Sequence, residues 1–167
     1  MAYKATAFVE FQKQGKSKGE SPRTAHKEKF EIEYFEYQVS SPVNRDSGQS
    51  AGRARHGEVM LLKENGPAST QFFHACATEE GVKQMVIDFW SVDKTTGEER
   101  VHHTLKLTDG RITSFKWMGD QRVGAIAAAQ PGRERSTHEL NEIRFSFDSI
   151  TIEDRVAKAQ ATWTAQK

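Results

Sequence analysis

Histidines and carboxylates are the side chains of this sequence that have the chemistry for metal binding or proton transfer. His102 and His103 are adjacent in a stretch of alternating apolar and polar residues, which is typical of a β-strand. Neighbouring side chains of a strand point to opposite faces, so we expect that the two rings cannot share one metal ion. His103 takes an apolar position and is predicted to be a core histidine. The other histidines follow no metal-ligand spacing; they are His26, His56, His74 and His138.

One pair of carboxylates is spaced so that both groups lie on the same face of a predicted strand. Glu31 and Glu33 could act as a general acid and a general base, but we favour a solvated strand face. The sequence has no nucleophile elbow, phosphate-binding loop or dinucleotide fingerprint. A catalytic triad that is scattered along a chain leaves no local motif. Because the sequence shows no catalytic motif or constellation, we predict that the protein is not an enzyme and uses no cofactor.

The single cysteine and a lysine-rich loop both favour unreactive interpretations. Cys76 is the only cysteine, which excludes an internal disulfide, and it lies on the apolar stripe of a predicted helix, where we expect an inert core thiol. Lys13, Lys16 and Lys18 form a basic cluster without interleaved aromatic residues that could stack on bases. Lys plus Arg is 24 against 23 for Asp plus Glu, so we expect no nucleic-acid partner.

Length and hydropathy indicate one domain. The 167 residues fit a single domain over 1–167, with no separate effector or catalytic domain. No window is apolar enough for a membrane span, and the first residues lack the apolar core of a signal peptide. We therefore expect synthesis in the cytoplasm, no membrane insertion, and any export to proceed without a cleaved leader.

A short helix is predicted over Pro67–Ala77. Pro67 suits a first helical turn, where its missing N–H costs nothing, and Gly81 is predicted to close the helix in a left-handed conformation. The apolar residues of the stretch recur on one buried stripe; they are Ala68, Phe72, Ala75 and Cys76. A helix of this length needs a sheet to pack on.

Alternating apolar and polar residues predict strands through most of the remaining chain. The apolar positions change parity between Tyr34 and Phe35, which predicts a β-bulge. Asp109-Gly110 predicts a turn between two strands. The predicted fold is mainly β: a single-domain β-barrel or sandwich of about seven or eight strands, with one short α-helix across it.

Two long polar loops interrupt the strands. The first, Ser40 to Arg55, contains Pro42 and the basic residues Arg45, Arg53 and Arg55. Loops of this length are usually functional or disordered, so the loop is either a mobile solvated segment or an arm that reaches a neighbouring subunit. The second loop, Gly119 to His138, is rich in alanine, and no role is predicted for it.

Four segments of the chain carry a resemblance to a known family. The first contains Gly15 and the run Gly19-Glu20-Ser21; the second contains His26, Phe30-Glu31-Ile32, Phe35 and Tyr37; the third contains Ala68-Ser69, Phe72 and Ala75; the fourth contains Glu142-Ile143, Phe145, Phe147, Ser149 and Ile150. In these motifs and in their order the chain resembles the Hcp family, the tube proteins of type VI secretion systems, over nearly its whole length. It departs from the family at Gly66, where the helix normally begins near an Asp, and at Lys16, where the family favours Ile.

The resemblance implies a structural and transport role in a Gram-negative bacterium. Hcp proteins form homohexameric rings that stack into a hollow tube, which a contractile sheath surrounds and a spike protein caps. Small effector proteins are held in the lumen, and the tube is secreted by the type VI machine without a cleaved signal peptide. The alternatives are a monomeric small β-barrel that binds a ligand or peptide, a phage tail-tube subunit, and a secreted toxin or hydrolase on an Hcp-like body.

Such an assembly would need two kinds of contact. A ring is a head-to-tail assembly that requires two complementary faces, and Phe8 and Phe35, at outward positions of their predicted strands, are the candidates. The contact between stacked rings is predicted to use Arg45, Arg53 and Arg55, with Pro42 in the same loop, paired with carboxylates of the next ring.

Overall fold

The computed structural model describes residues 4–20, 28–119 and 139–166. These residues form eleven strands and one helix. The elements are β1 (Ala5–Phe11), β2 (Gly15–Lys16), β3 (Phe30–Ile32), β4 (Tyr34–Glu36), β5 (Val39–Ser40), β6 (Arg55–His56), β7 (Val59–Glu64), α1 (Pro67–Ala77), β8 (Gly81–Val92), β9 (Glu99–Gly119), β10 (Glu139–Asp154) and β11 (Ala159–Thr164). The predicted mainly β fold with one short helix is confirmed, although several strands are shorter or longer than the alternation suggested.

Antiparallel pairing arranges the long strands in the order β1-β8-β9-β10-β7. The segment Phe30–Glu36 then joins the two ends of this path, because β3 pairs with β1 and β4 pairs with β7. The sheet therefore curls round on itself as a barrel. β11 pairs with residues 149–154 of β10 and forms an edge strand. β5 pairs with β6 outside the barrel.

The predicted change of parity after Tyr34 is present, but its cause is a change of partner strand. Phe30 and Ile32 are fully buried, Tyr34 is 45% exposed, and Phe35 turns back against the core. Between them the Glu33 N–H donates to the carbonyl of Leu62 of β7 at 2.8 Å. The chain bends here as it leaves β1 for β7, so a bend takes the place of the expected bulge.

The predicted turn at Asp109-Gly110 is wrong, because β9 runs through it without reversing. Asp109 takes a left-handed conformation with φ 50°, which kinks the strand. A Cβ on Gly110 would lie 2.2 Å from the backbone oxygen of Ser146 on β10. Glycine is needed here because two strands approach too closely for a side chain, and turn-forming residues are equally suited to a kink.

The predicted helix boundaries, Pro67–Ala77, are confirmed. The ring of Phe72 enters the core, edge-on to Phe11 at 5.6 Å, Phe30 at 5.3 Å and Phe145 at 6.0 Å between centroids. Since so short a helix is not stable alone, this packing must supply its stability. The predicted closing role of Gly81 is wrong: Glu79 takes the left-handed conformation, with φ 56°, and Gly81 begins β8.

Candidate functional site

The N-terminus of α1 is capped by a carboxylate from a distant part of the chain. Glu20 Oε1 accepts hydrogen bonds from the Ala68 N–H at 2.7 Å and from Lys63 Nζ at 3.0 Å. A negative charge is favourable at this end of a helix. A Cβ on Gly66 would lie 2.7 Å from Glu20 Oε1. Gly66 therefore leaves room for the Glu20 carboxylate at the start of the helix.

Glu20 belongs to a polar cluster beneath the helix, which consists of Glu20, Lys63, Ser69 and Asn141. Lys63 and Asn141 have no exposed surface. Lys63 Nζ donates to Glu20, to Ser69 Oγ at 3.0 Å and to the Glu64 carbonyl at 2.6 Å. The Ser69 hydroxyl in turn donates to Asn141 Oδ1. The cluster thereby links β7, α1 and β10 with the loop after β2.

Electrostatics explain why this cluster must be complete. Burial lowers the pKa of Lys63, while the neighbouring Glu20 opposes this effect. An unpaired charge in a protein interior costs several kcal/mol, so the ammonium group depends on its three acceptors. Sequence reasoning found Glu20 and Ser69 but missed Lys63 and Asn141. Lys63 continues the buried positions Val59 and Leu61 of β7, and this parity was the signal that could have identified it.

Glu80 anchors the turn that follows β1. The residue is 5% exposed, and its carboxylate accepts hydrogen bonds from the backbone N–H groups of Lys13 and Gln14 and from the Gln14 side chain. Burial alone would raise the pKa of Glu80, but the hydrogen bonds from Gln14 and Lys13 outweigh it and the pKa is lowered. Nothing in the local sequence distinguishes Glu80 from the exposed Glu79, so this anchor was not predicted.

Gln71 ties the buried side of the helix to the same part of the chain. Its Oε1 accepts from the Lys18 N–H at 2.7 Å, and its Nε2 donates to the Lys16 carbonyl at 3.1 Å. Gln14 Nε2 also donates to the Gln71 carbonyl at 3.0 Å. The residues after β1 are thus fixed to α1 through side chains that satisfy backbone groups.

The first predicted loop is an ordered hairpin, which we call the arm (residues 39–56). Its base is the β5–β6 pair, with Val39 opposite His56, and a further bridge joins Val43 to Ser50. Near the tip the Asn44 N–H donates to the Gln49 carbonyl at 2.8 Å. The expectation of a loop without secondary structure is wrong, whereas its proposed contact with a neighbouring subunit stays a prediction.

The basic residues of the arm are on its surface. Arg45, Arg53 and Arg55 are exposed, and none of them takes part in an ion pair with another residue in the described parts of the chain. Pro42 is half-buried and faces Gly52, where a Cβ would lie 3.4 Å away. The predicted role of these residues in ring stacking stays a prediction.

The two phenylalanines predicted for the ring interface have different environments. Phe8 is half-buried on the outer side of β1, opposite Val86 of β8, and Lys16 Nζ lies 5.8 Å from the centre of its ring. Phe35 is partly buried against the core, edge-on to Phe89 at 5.1 Å. The prediction that Phe35 faces outward is therefore wrong. Its packing against the core of the same chain accounts for its apolar side chain.

A separate set of exposed aromatic residues was not predicted. Phe73 of α1 and Trp117 of β9 are each 60% exposed. Phe73 packs edge-on against Phe115 at 6.1 Å. Trp117 is two residues after Phe115 on β9, so their side chains lie on the same side of the strand. We call Phe73, Phe115 and Trp117 the aromatic face. Helical spacing alone could have shown that Phe73 lies outside the buried stripe, next to the inward-facing Phe72.

The remaining residues of the family motifs are structural or lie outside the described residues. Ile150 is 4% exposed and belongs to the core, with Phe72. Glu142 accepts a hydrogen bond from Arg144 Nε at 3.0 Å. Gly19 precedes Glu20 in the segment that leads to the polar cluster. Ser21 and His26 lie outside the described residues, as do residues 120–138 of the second loop.

The adjacent histidines do not point apart as predicted. His102 Nδ1 and His103 Nδ1 are 2.8 Å apart, because the register with β8 shifts between Phe89 and Trp90 and leaves His102 as the extra residue. His103 is not a core residue: its side chain is 44% exposed and Nε2 lies 3.6 Å from the Asp154 carboxylate. Burial, together with the neighbouring His103, lowers the pKa of His102, while Asp154 opposes this.

Three further observations bear on other classes of function. In the described residues no group of three or more His, Cys, Asp or Glu side chains is arranged to hold a metal ion. No helix there has the length and apolar composition needed to cross a membrane. A surface cavity of about 290 Å³ near the kink of β9 has a polar lining that includes Asp109, Arg111 and Asp148.

Comparisons with known proteins agree with the fold and with the motifs. The sequence model of the family described as "Type VI secretion system effector, Hcp" matches residues 8–153. The chain is 25% identical over 136 residues to the Major exported protein of Pseudomonas aeruginosa, over 81% of this chain and 74% of that protein. The crystal structure of an Hcp protein superposes with a TM-score of 0.81 at 16% identity, over 97% of this chain and 99% of that one. The secreted protein Hcp3 from Pseudomonas aeruginosa superposes with a TM-score of 0.75 at 18% identity, over 99% and 100%.

Proposed function

The chain belongs to the Hcp family of type VI secretion system effectors, and on this premise we propose that it is a structural subunit of the secretion tube. In this proposal six copies form a ring, the rings stack into a tube, and the tube carries small effector proteins in its lumen. A contractile sheath surrounds the tube and a spike protein caps it. The chain acts as a building block and carrier, and it has no catalytic role.

The observation that carries the proposal is an exposed aromatic face on a chain whose own core is already complete. Phe73 and Trp117 are each 60% exposed, although aromatic residues are the type that interfaces preferentially bury. Phe115 lies between the helix and the sheet and supports this surface. Contact with another copy would remove these rings from water, with a gain of about 25 cal/mol per Å² of apolar area.

A closed ring needs a second, different face on each subunit. The outer side of β1 and β8 offers one, since Phe8 and Val86 are directly opposite each other there and both are half-buried. This surface lies on β1 and β8, whereas the aromatic face lies on α1 and β9. Phe8 therefore remains our candidate for the ring contact, and the aromatic face takes the place of Phe35.

Stacking between rings is assigned to the arm. Arg45, Arg53 and Arg55 are exposed on a hairpin that projects from the barrel, and they would pair with carboxylates of the next ring. Exposed ion pairs contribute about 0–1 kcal/mol each and are screened by salt. Stacking in solution should therefore be weak and sensitive to salt, whereas the rings, which bury apolar surface, should persist.

The interior of the barrel argues against a ligand-binding barrel. The largest fully buried side chains of the described residues, among them Phe11, Phe30, Phe72 and Ile143, fill the hydrophobic core. A small barrel that is filled in this way leaves little room for a ligand. A phage tail-tube subunit would share the assembly geometry, but the family match over residues 8–153 favours the secretion tube.

Variants of the aromatic face test the ring proposal. We expect that Phe73→Gln combined with Trp117→Gln yields folded monomers, because both residues are exposed and leave the core intact. Tyr34→Gln is the matched control, since Tyr34 is 45% exposed and lies on another part of the surface. Size-exclusion chromatography with light scattering gives the outcome. Rings of unchanged mass in the double variant would overturn the assignment of this face.

A further inference from the structure

The base of the arm is held by a stack of aromatic rings, which we call the clamp: Tyr37, His56, Phe147 and Trp163. The rings of His56 and Trp163 are stacked, with centroids 3.6 Å apart and an interplanar angle of 23°. The Tyr37 ring is nearly parallel to that of His56, with an interplanar angle of 22°, and its hydroxyl lies 2.7 Å from His56 Nδ1. Phe147 lies edge-on to all three rings, at 5.8 to 6.4 Å.

The clamp joins three parts of the fold. His56 belongs to β6 and Tyr37 precedes β5 by two residues, so both lie at the base of the arm, while Trp163 comes from the edge strand β11. Phe147 of β10 pairs with Gly110, next to the kink of β9. All six residues of β11 are exposed, so Trp163 does not belong to the barrel core. Its ring contacts are with the base of the arm and with Phe147.

The two sides of the arm are hydrogen-bonded to each other, so the tip follows the orientation of the base. Backbone hydrogen bonds run along it, from Gly57 N to the Gln38 carbonyl at 2.8 Å up to Gly48 N to the Asn44 carbonyl at 2.8 Å. From Val39 to the turn at Asp46 it extends up to about 23 Å, so a swing of about 10° at the base would move the tip by about 4 Å. That displacement is comparable to the full N···O range of an ion pair, about 4 Å.

We propose that His56 and Trp163 are positioning residues that fix the direction of the arm, so that its arginines meet the carboxylates of a second copy of this chain in the next ring. The inference rests on the proposed function, because it assumes that the arm makes the stacking contact. It adds that stacking depends on two aromatic residues at the base of the arm, neither of which needs to touch the next ring.

A spin label at the tip tests the clamp directly. Ser47→Cys in a Cys76→Ala background carries the nitroxide, and spectra are recorded at high salt, where rings are not stacked. We expect Trp163→Leu to raise the fast-tumbling fraction at least about twofold, because the base of the arm loses its stacked partner. Trp163→Phe keeps an aromatic face and should restore the immobile spectrum. Thr162→Val, on the opposite face of the same strand, is the matched control.

Stacking is then measured by sedimentation at low salt. Trp163→Leu and His56→Leu should form rings of normal mass, and the amount of pelleted tubes should fall at least about tenfold because a misdirected arm loses its ion pairs. Trp163→Phe should pellet normally. Two independent variants guard against a folding defect in one of them. An unchanged spectrum, or normal tubes from an arm shown to be mobile, would overturn the inference. If the wild type forms no rings or tubes, the proposed function fails, and the spectra still decide whether the clamp orients the arm.

Discussion

Lys63 and Asn141 lie directly opposite each other on β7 and β10, and neither has any exposed surface. Ser69 bridges the two side chains, accepting from Lys63 Nζ and donating to Asn141 Oδ1. Burying the Lys63 ammonium group in the wall of the barrel is unfavourable, and Glu20 supplies the opposite charge. The same carboxylate caps the helix. The contacts among β7, β10, α1 and the loop after β2 therefore depend on the Glu20–Lys63 charge pair.

The first prediction concerns this charge pair. Glu20→Ala removes the carboxylate and leaves the Lys63 ammonium buried without its counter-ion, which should cost about 3–5 kcal/mol of the free energy of unfolding. Glu20→Ala combined with Lys63→Met removes both charges and should recover a large part of that loss. Urea unfolding of both variants measures this. A double variant that is less stable than Glu20→Ala would show that the cost does not come from the unpaired charge.

The second prediction compares two glycines. Gly110→Ala places a Cβ at 2.2 Å from the Ser146 backbone oxygen, so β10 must move, and we expect a loss of about 3 kcal/mol. Gly15 has φ 79° and no atom within 4 Å of an added Cβ, so Gly15→Ala should cost only the left-handed conformation, about 1–2 kcal/mol. Thermal unfolding ranks the two, and equal losses would contradict the close approach of β9 and β10.

These elements show what the sequence could and could not predict. The boundaries of α1 follow from local signals, namely Pro67 and a stripe of small and aromatic residues, and they were predicted correctly. Asp109-Gly110 was predicted to be a turn, because the same residues serve a turn and a kink, and the approach of Ser146 from β10 is not visible locally. The contact between His102 and His103 depends on a register shift against β8, which no local pattern encodes.

The third prediction is a dependence on pH that comes from Glu80. Its pKa in the folded protein lies below the usual value of 4.5, so its contribution to stability is present above pH 4.5 and is lost as the pH falls through the lowered pKa. Glu80→Gln should therefore cost about 1–3 kcal/mol at pH 7 and progressively less below pH 4.5. Glu79→Gln, at the exposed neighbour, is the control. A loss for Glu80→Gln that stays constant down to pH 3 would rule out this linkage.

The fourth prediction concerns the charge of the arm. Arg53→Glu combined with Arg55→Glu should abolish the stacking of rings at low salt and leave the rings themselves intact, because both residues are exposed on the arm. Lys94→Glu combined with Arg155→Glu makes the same change of net charge at two exposed turns and serves as the control. Negative-stain imaging counts tubes and single rings. Tubes of normal length in the Arg53 and Arg55 variant would remove the arm from the stacking contact.

The central claim, that the chain is a ring-forming tube subunit, is tested most directly by its native mass. Light scattering of the purified protein at moderate salt should give one species close to six times 18.9 kDa, and imaging of that peak should show rings. The mass should not change with dilution across the micromolar range, since an obligate interface of about 2,000 Å² or more is stable there. A single species of 18.9 kDa at high concentration would contradict the account.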